Sequence, residues 1–199
     1  MPRRIDLDRR RAELAEAVWA TIRQRGIGAV SVRTVAAEAG VAVGSLRHVF
    51  PTRSELLRFS ADLMARRATE RIIATELTGD PEADALALLR HLLPLEADSR
   101  AELDVNLALI AEAPALPELV PIRDRTHAEI QTMCERVIEL LAPGLPATSL
   151  TREAARLFAL IDGLALHLLG QAAESDPGWA VEILRDEIAR IRELDATPR

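Results

Sequence analysis

Residues 31–50 read SVRTVAAEAGVAVGSLRHVF, and this stretch decides the fold. Behind Ser31, whose hydroxyl suits a helix N-cap, Val32, Val35, Ala36 and Ala39 recur at helical spacing. Gly40 then breaks the pattern, because glycine lets a chain turn sharply through positive φ without steric cost. A second short helix restarts over about 43–50. On its wheel Leu46, Val49 and Phe50 share one arc, while Gly44, Ser45, Arg47 and His48 occupy the opposite side. Two short helices joined by a glycine corner, the second showing cations over an apolar back, form a helix-turn-helix unit. The major groove of DNA, about 12 Å wide, admits one such helix docked by its back face.

The candidate DNA-binding residues follow from that geometry. Arg47 and His48 can donate to phosphate oxygens or to a guanine edge, and Ser45 reaches either. Val43 and Gly44 open the reader helix, and Gly44 lets its backbone approach closely. Ser31, Arg33 and Thr34 at the start of the preceding helix, with Arg53 beyond Pro51, lie along the phosphate backbone.

Composition agrees with this placement. The chain has 199 residues and a net charge of -6, yet residues 1–60 hold 11 arginines against 6 carboxylates, and residues 61–199 hold 14 against 25. A head of +5 therefore sits on a body of -11, and local potential steers a polyanion more than the total does. Cys134 is the only cysteine, which excludes a disulfide framework and a cysteine-rich zinc site. Neither a signal peptide nor an apolar run long enough to span a bilayer is present, so a soluble, cytoplasmic protein is expected.

Apolar residues recur at 3.6-residue spacing nearly throughout, and alternating runs are scarce, so the expected fold is all-α with about nine helices. The first covers about 8–25, with Leu14, Ala15, Val18, Trp19 and Ile22 as its stripe and Gly26 as its stop. The fourth opens at Arg53 and Ser54 and is expected to reach about residue 77; later helices are expected over about 82–93, 99–112, 122–141, 151–170 and 176–194. The organisation expected is a DNA-binding domain over 1–52 and a larger helical domain over 53–199.

Residues 31–57, SVRTVAAEAGVAVGSLRHVFPTRSELL, resemble the N-terminal DNA-binding signature of TetR/AcrR-type transcriptional regulators, and FALIDGLALHLLG resembles the C-terminal domain of the BetI-like branch. The resemblance implies a homodimer, usually a repressor, whose divergent C-terminal domain binds a small effector. Three departures stand out. Arg47 stands where the family usually has Tyr, exchanging a phenol for a charged donor. Ala42 stands where a Ser usually caps the reader helix, a loss of about 1 kcal/mol. Arg53 replaces the usual Lys, keeping the charge and changing the geometry.

For the body, the apolar stretch LFALIDGLALHLL is too short to span a bilayer and calls for burial on more than one face. One face suits its own core and another a partner's. The expected dimer interface is Leu160, Leu164, His167 and Leu168, with Ile183, Ile188 and Ile191 from the last helix; the resemblance implies a four-helix interface there. Effector-binding candidates are Leu103, Asn106, Leu107 and Ile110, with His127, Gln131, Cys134, Phe158 and Asp162, a mostly apolar set with a few polar groups. No cofactor, metal site or catalytic motif is expected: HExxH, a Walker loop, a Rossmann glycine fingerprint and paired Glu-x-x-His are all missing. The protein is read as a ligand-responsive regulator of a palindromic DNA operator, not an enzyme. The competing reading is an all-α metal-binding or protein-interaction module without DNA binding.

Overall fold

A computed structural model describes residues 2–172 and 174–196, with side chains described for 9–172 and 174–194. Among the described residues it has nine α-helices and no strand. These are α1 (Pro2–Arg25), α2 (Val32–Glu38), α3 (Val43–Val49), α4 (Arg53–Ile73), α5 (Pro81–Arg90), α6 (Ala97–Glu112), α7 (Val120–Leu141), α8 (Ala147–Leu169) and α9 (Gly178–Ala196). Short 3-10 turns lie at Ile27–Ala29 and Pro117–Leu119.

The glycines act where the sequence places them. Gly26 has φ 77° and donates to the Ile22 carbonyl at 2.8 Å, closing α1. Gly40 has φ 64°, and a double closure surrounds it: its N–H donates to Ala37 and that of Val41 donates to Ala36. This is a Schellman end, which satisfies the last carbonyls of α2 and aims the chain into α3.

Several boundaries move: the first helix starts at Pro2 rather than near 8, the fifth stops at Arg90 rather than near 93, and two others shift for visible reasons. The fourth helix stops at Ile73 rather than near 77, because the buried Asp84 carboxylate accepts from the Thr78 N–H at 2.6 Å, the Thr78 hydroxyl at 2.8 Å and the Gly79 N–H at 2.9 Å. Those donors are drawn out of the helical ladder into a side-chain cap. The same bonds, the Thr78 N–H foremost, hold the Asp84 carboxyl below its usual pKa. The eighth helix begins at Ala147, four residues early, since Pro146 can start a helix that takes Ser149 and Leu150 N–H onto its own carbonyl.

The chain divides into two compact units: residues up to 68 together with 101–125, and 69–100 together with 126 onward. In the first unit Leu14, Val18, Val35, Leu46, Phe50, Leu56, Leu57 and Met64 share one core with Val105, Leu109, Ala113 and Leu119 from the second half of the chain. In the second, α9 packs on both α5 and α8. Leu89, Ile138, Leu157, Leu168, Leu184 and Ile191 are fully buried there. Arg190 ties α9 to α8 by donating to Glu153 at 2.6 Å and to Glu187 at 2.7 Å. Arg100 donates to the Leu168, Leu169 and Gln171 carbonyls and so closes the end of α8.

Candidate nucleic-acid interface

The reader helix is built from its back outward. Leu46 is 0% exposed and Phe50 5%, and the Phe50 ring meets Phe59 of α4 with centroids 5.1 Å apart. Burying two such side chains fixes the rotation of a seven-residue helix that could not hold itself in water. With that face inward, Gly44, Ser45, Arg47 and His48 all lie exposed, and neither Arg47 nor His48 has a hydrogen bond or ion pair among the described residues. Val43 differs from this group: it is half-buried against the core and offers a backbone more than a side chain. Ala42 holds the N-cap position of α3 with no side-chain bond, as its lack of a hydroxyl requires.

Upstream, Arg33 is exposed on α2. Ser31 and Thr34 are engaged internally. The Ser31 hydroxyl accepts from the Thr34 N–H at 3.1 Å, the Ser31 N–H donates to the Thr34 hydroxyl at 2.9 Å, and that hydroxyl donates to the Ala29 carbonyl at 2.7 Å. This reciprocal box positions α2. Arg53 is likewise tied inward: Nε donates to the Val30 carbonyl at 3.0 Å, and Nη2 to the Ile27 carbonyl at 3.1 Å and to Glu112 at 3.0 Å. Sequence reasoning did not find Glu112, which lies 59 residues away. It also missed Thr52, whose hydroxyl accepts from the Glu55 N–H and caps α4; the T-x-x-E spacing was the available signal.

Of the effector candidates, Leu103, Asn106, Leu107 and Ile110 belong to the first unit and the other five to the second. Within the second unit the His127 ring lies 4.8 Å from that of Phe158. Local desolvation pushes the Asp162 carboxyl above its usual pKa, with the nearby His127 pulling the other way. Gln131 donates to Glu135 at 3.1 Å. Cys134 is fully buried, and that burial, followed by the charges of Asp162 and Glu135, raises its thiol to about 12, so it holds no reactive thiolate near neutrality. Among the described residues no three His, Cys, Asp or Glu side chains converge to hold a metal ion.

The expected interface residues separate into two groups. Leu168, Ile188 and Ile191 are buried within the chain's own fold, where α9 packs on α5 and α8, and leave almost no exposed side-chain surface. Leu160, His167 and Ile183 instead line a shallow groove of about 530 Å³ between α8 and α9, with Gly163, Trp179 and the largely buried Leu164. Leu166 nearby is 54% exposed and Ile183 40%. No helix among the described residues is long and apolar enough to cross a membrane.

Comparison with known proteins agrees with the geometry. Residues 14–58 match the model of bacterial regulatory proteins of the tetR family, and residues 81–193 match the C-terminal part of BetI-type transcriptional repressors. The HTH-type transcriptional regulator PksA of Bacillus subtilis (strain 168) is 34% identical over 197 residues, covering 96% of this chain and 90% of PksA. A transcriptional regulator from Rhodococcus sp. Rha1 superposes with a TM-score of 0.82 at 31% identity, over 94% of this chain and 99% of that one. At 22% identity, a regulator from Saccharomonospora viridis solved in complex with choline shares the fold, with a TM-score of 0.79 over 92% of this chain and 96% of its own. With a helix-turn-helix whose cations stand free over a packed back, the chain belongs to the TetR family of DNA-binding transcriptional regulators and is not an enzyme.

Proposed function

We propose that the protein acts in the cytoplasm as a homodimeric repressor that holds a palindromic operator and is released by a small-molecule effector. In this reading residues 1–52 form the DNA-binding domain and 53–199 the effector-binding and dimerisation domain. The observation that carries it is the free Arg47–His48 pair on α3, presented together by the buried Leu46 and Phe50. Arg47, His48, Ser45 and Gly44 meet bases and phosphates, Arg33 and Arg53 follow the backbone, and Ser31, Thr34 and Val43 position their helices. The apolar groove between α8 and α9 supports pairing with a second protomer around Leu160, Gly163, His167 and Ile183. A two-fold dimer sets its reader helices about 34–36 Å apart, which matches half-sites one DNA turn apart.

The effector enters the body, where His127, Phe158 and Asp162 gather on α7 and α8. Occupancy shifts the population between dimers whose reader helices fit DNA and dimers whose helices do not, with α4 as the moving part. Selection of duplexes from a randomised pool by the purified protein tests the reading: an inverted repeat with one-turn spacing is expected. Retention of no duplex would sink it. Sedimentation of the Ile183→Glu variant checks the dimer, with loss of pairing and of operator binding together as the expected result.

A further inference from the structure

Arg53 stands at the head of α4 with its guanidinium divided into two edges. Nε and Nη2 face inward onto the Val30 and Ile27 carbonyls and the Glu112 carboxylate, whereas Nη1 has no partner among the described residues and the side chain stays 31% exposed. Through its side chain Glu112 accepts from Arg53 Nη2 at 3.0 Å. It is the last residue of α6 and lies between Leu109 and Ala113, both buried in the same core as Leu46 and Leu57. A carboxylate at a helix C-terminus adds to the negative end of the helix dipole instead of offsetting it, so this position is electrostatically unfavourable unless a cation answers it.

We propose that Glu112 sets DNA affinity from outside the helix-turn-helix by masking the charge of Arg53. This rests on the reading above, in which the α4 start follows the phosphate backbone. Each phosphate arriving at the open Nη1 edge meets a guanidinium already half-neutralised, with a second anion about one guanidinium width behind it. Glu112 and phosphate therefore compete for one cation. The competitor comes from α6, so any shift of α6 about its axis changes how much of the Arg53 charge DNA can use. Glu112 touches no DNA in this account; it is a positioning and tuning residue for a contact that Arg53 makes.

Glu112→Gln isolates the charge, because the glutamine carbonyl still accepts from Nη2 and keeps the guanidinium in place. With a duplex selected by the wild-type protein, the variant binds about threefold to tenfold tighter at moderate salt, and log affinity against log salt steepens by up to about one. In an Arg53→Met background the same substitution changes neither quantity. Unchanged or weaker binding by Glu112→Gln overturns the proposal, and so does an equal gain in the Arg53→Met background, which would make Glu112 part of a general field. Failure of the wild-type protein to bind any duplex would instead sink the reading of function on which this rests. Thermal unfolding of each variant confirms that the head remains folded during the comparison.

Discussion

The reader helix α3 and the long helix α8 solve opposite problems with the same material. Both bury one apolar face: Leu46 in α3 with Phe50 at its C-cap, and Leu157, Ile161, Leu164 and Leu168 in α8. They differ in what the other face shows. α3 exposes Ser45, Arg47 and His48, whereas α8 exposes Leu166 and borders an apolar groove around Gly163 and His167. Free cations over a rigid back suit a polyanion that arrives with its own counter-charge. A large apolar surface suits a partner that removes it from water. In the proposed reading the exposed face, and not the buried one, separates the helix that meets DNA from the helix that meets a partner.

The comparison breaks most visibly at Leu46. Leu46→Ala is expected to cost the head about 2–5 kcal/mol, because a fully buried side chain leaves a cavity that the corner cannot close. Leu166→Ala, on an exposed face, should change the stability of the single chain by no more than about 0.5 kcal/mol. Denaturant unfolding of both variants tests whether the two helices differ as described; equal losses would contradict it.

Next comes the cationic face itself. Arg47→Ala with His48→Ala should weaken operator binding roughly tenfold to a hundredfold, consistent with about 1–3 kcal/mol for each good base contact. The unfolding midpoint should stay in place, since neither side chain has a partner among the described residues. Fluorescence anisotropy with a labelled duplex reads the first quantity and thermal unfolding the second.

The body offers a comparable test at Arg190. Arg190→Met takes the shortest partner from the buried Glu153 and Glu187, leaving them only Arg152 at 3.7 Å and Arg156 at 3.5 Å, and should cost about 1–3 kcal/mol, less than a fully buried pair because those cations remain and the guanidinium reaches solvent. The bond to Glu187, then that to Glu153, lifts Arg190 above its ordinary value. For a base raised on folding, the stabilisation is complete at every pH below the ordinary value. The deficit of the variant should therefore stay flat between about pH 6 and 9.

The smallest effect sharpens the picture of α3. Ala42→Ser restores an acceptor to a cap position that has none, and should stabilise the head by about 0.5–1 kcal/mol. Amide exchange at the first turn of α3 is the direct measurement, with slower exchange as the expected outcome.

Much of this architecture was legible in the residues. The corner at Gly40, the stop at Gly26, the N-cap at Ser31 and the wheel of α3 follow from local rules, and each acts where those rules put it. The end of α4 was not legible, because Asp84 draws out the Thr78 and Gly79 N–H groups from beyond the turn. The interior placement of Leu168, Ile188 and Ile191 was equally hidden, since two adjacent apolar faces on α8 and α9 look alike until the helices are packed.

By itself the sequence determined which segments become helices, that Gly26 and Gly40 stop two of them and which way the reader helix faces, because those properties depend on residues within a turn or two of one another. Only the tertiary structure decided which cations are free. Arg47 and Arg53 both carry a full guanidinium near the same corner, yet Arg53 is engaged by two carbonyls and by a carboxylate 59 residues away. Charge availability depends on partners brought close in space, and spacing along the chain does not reveal them.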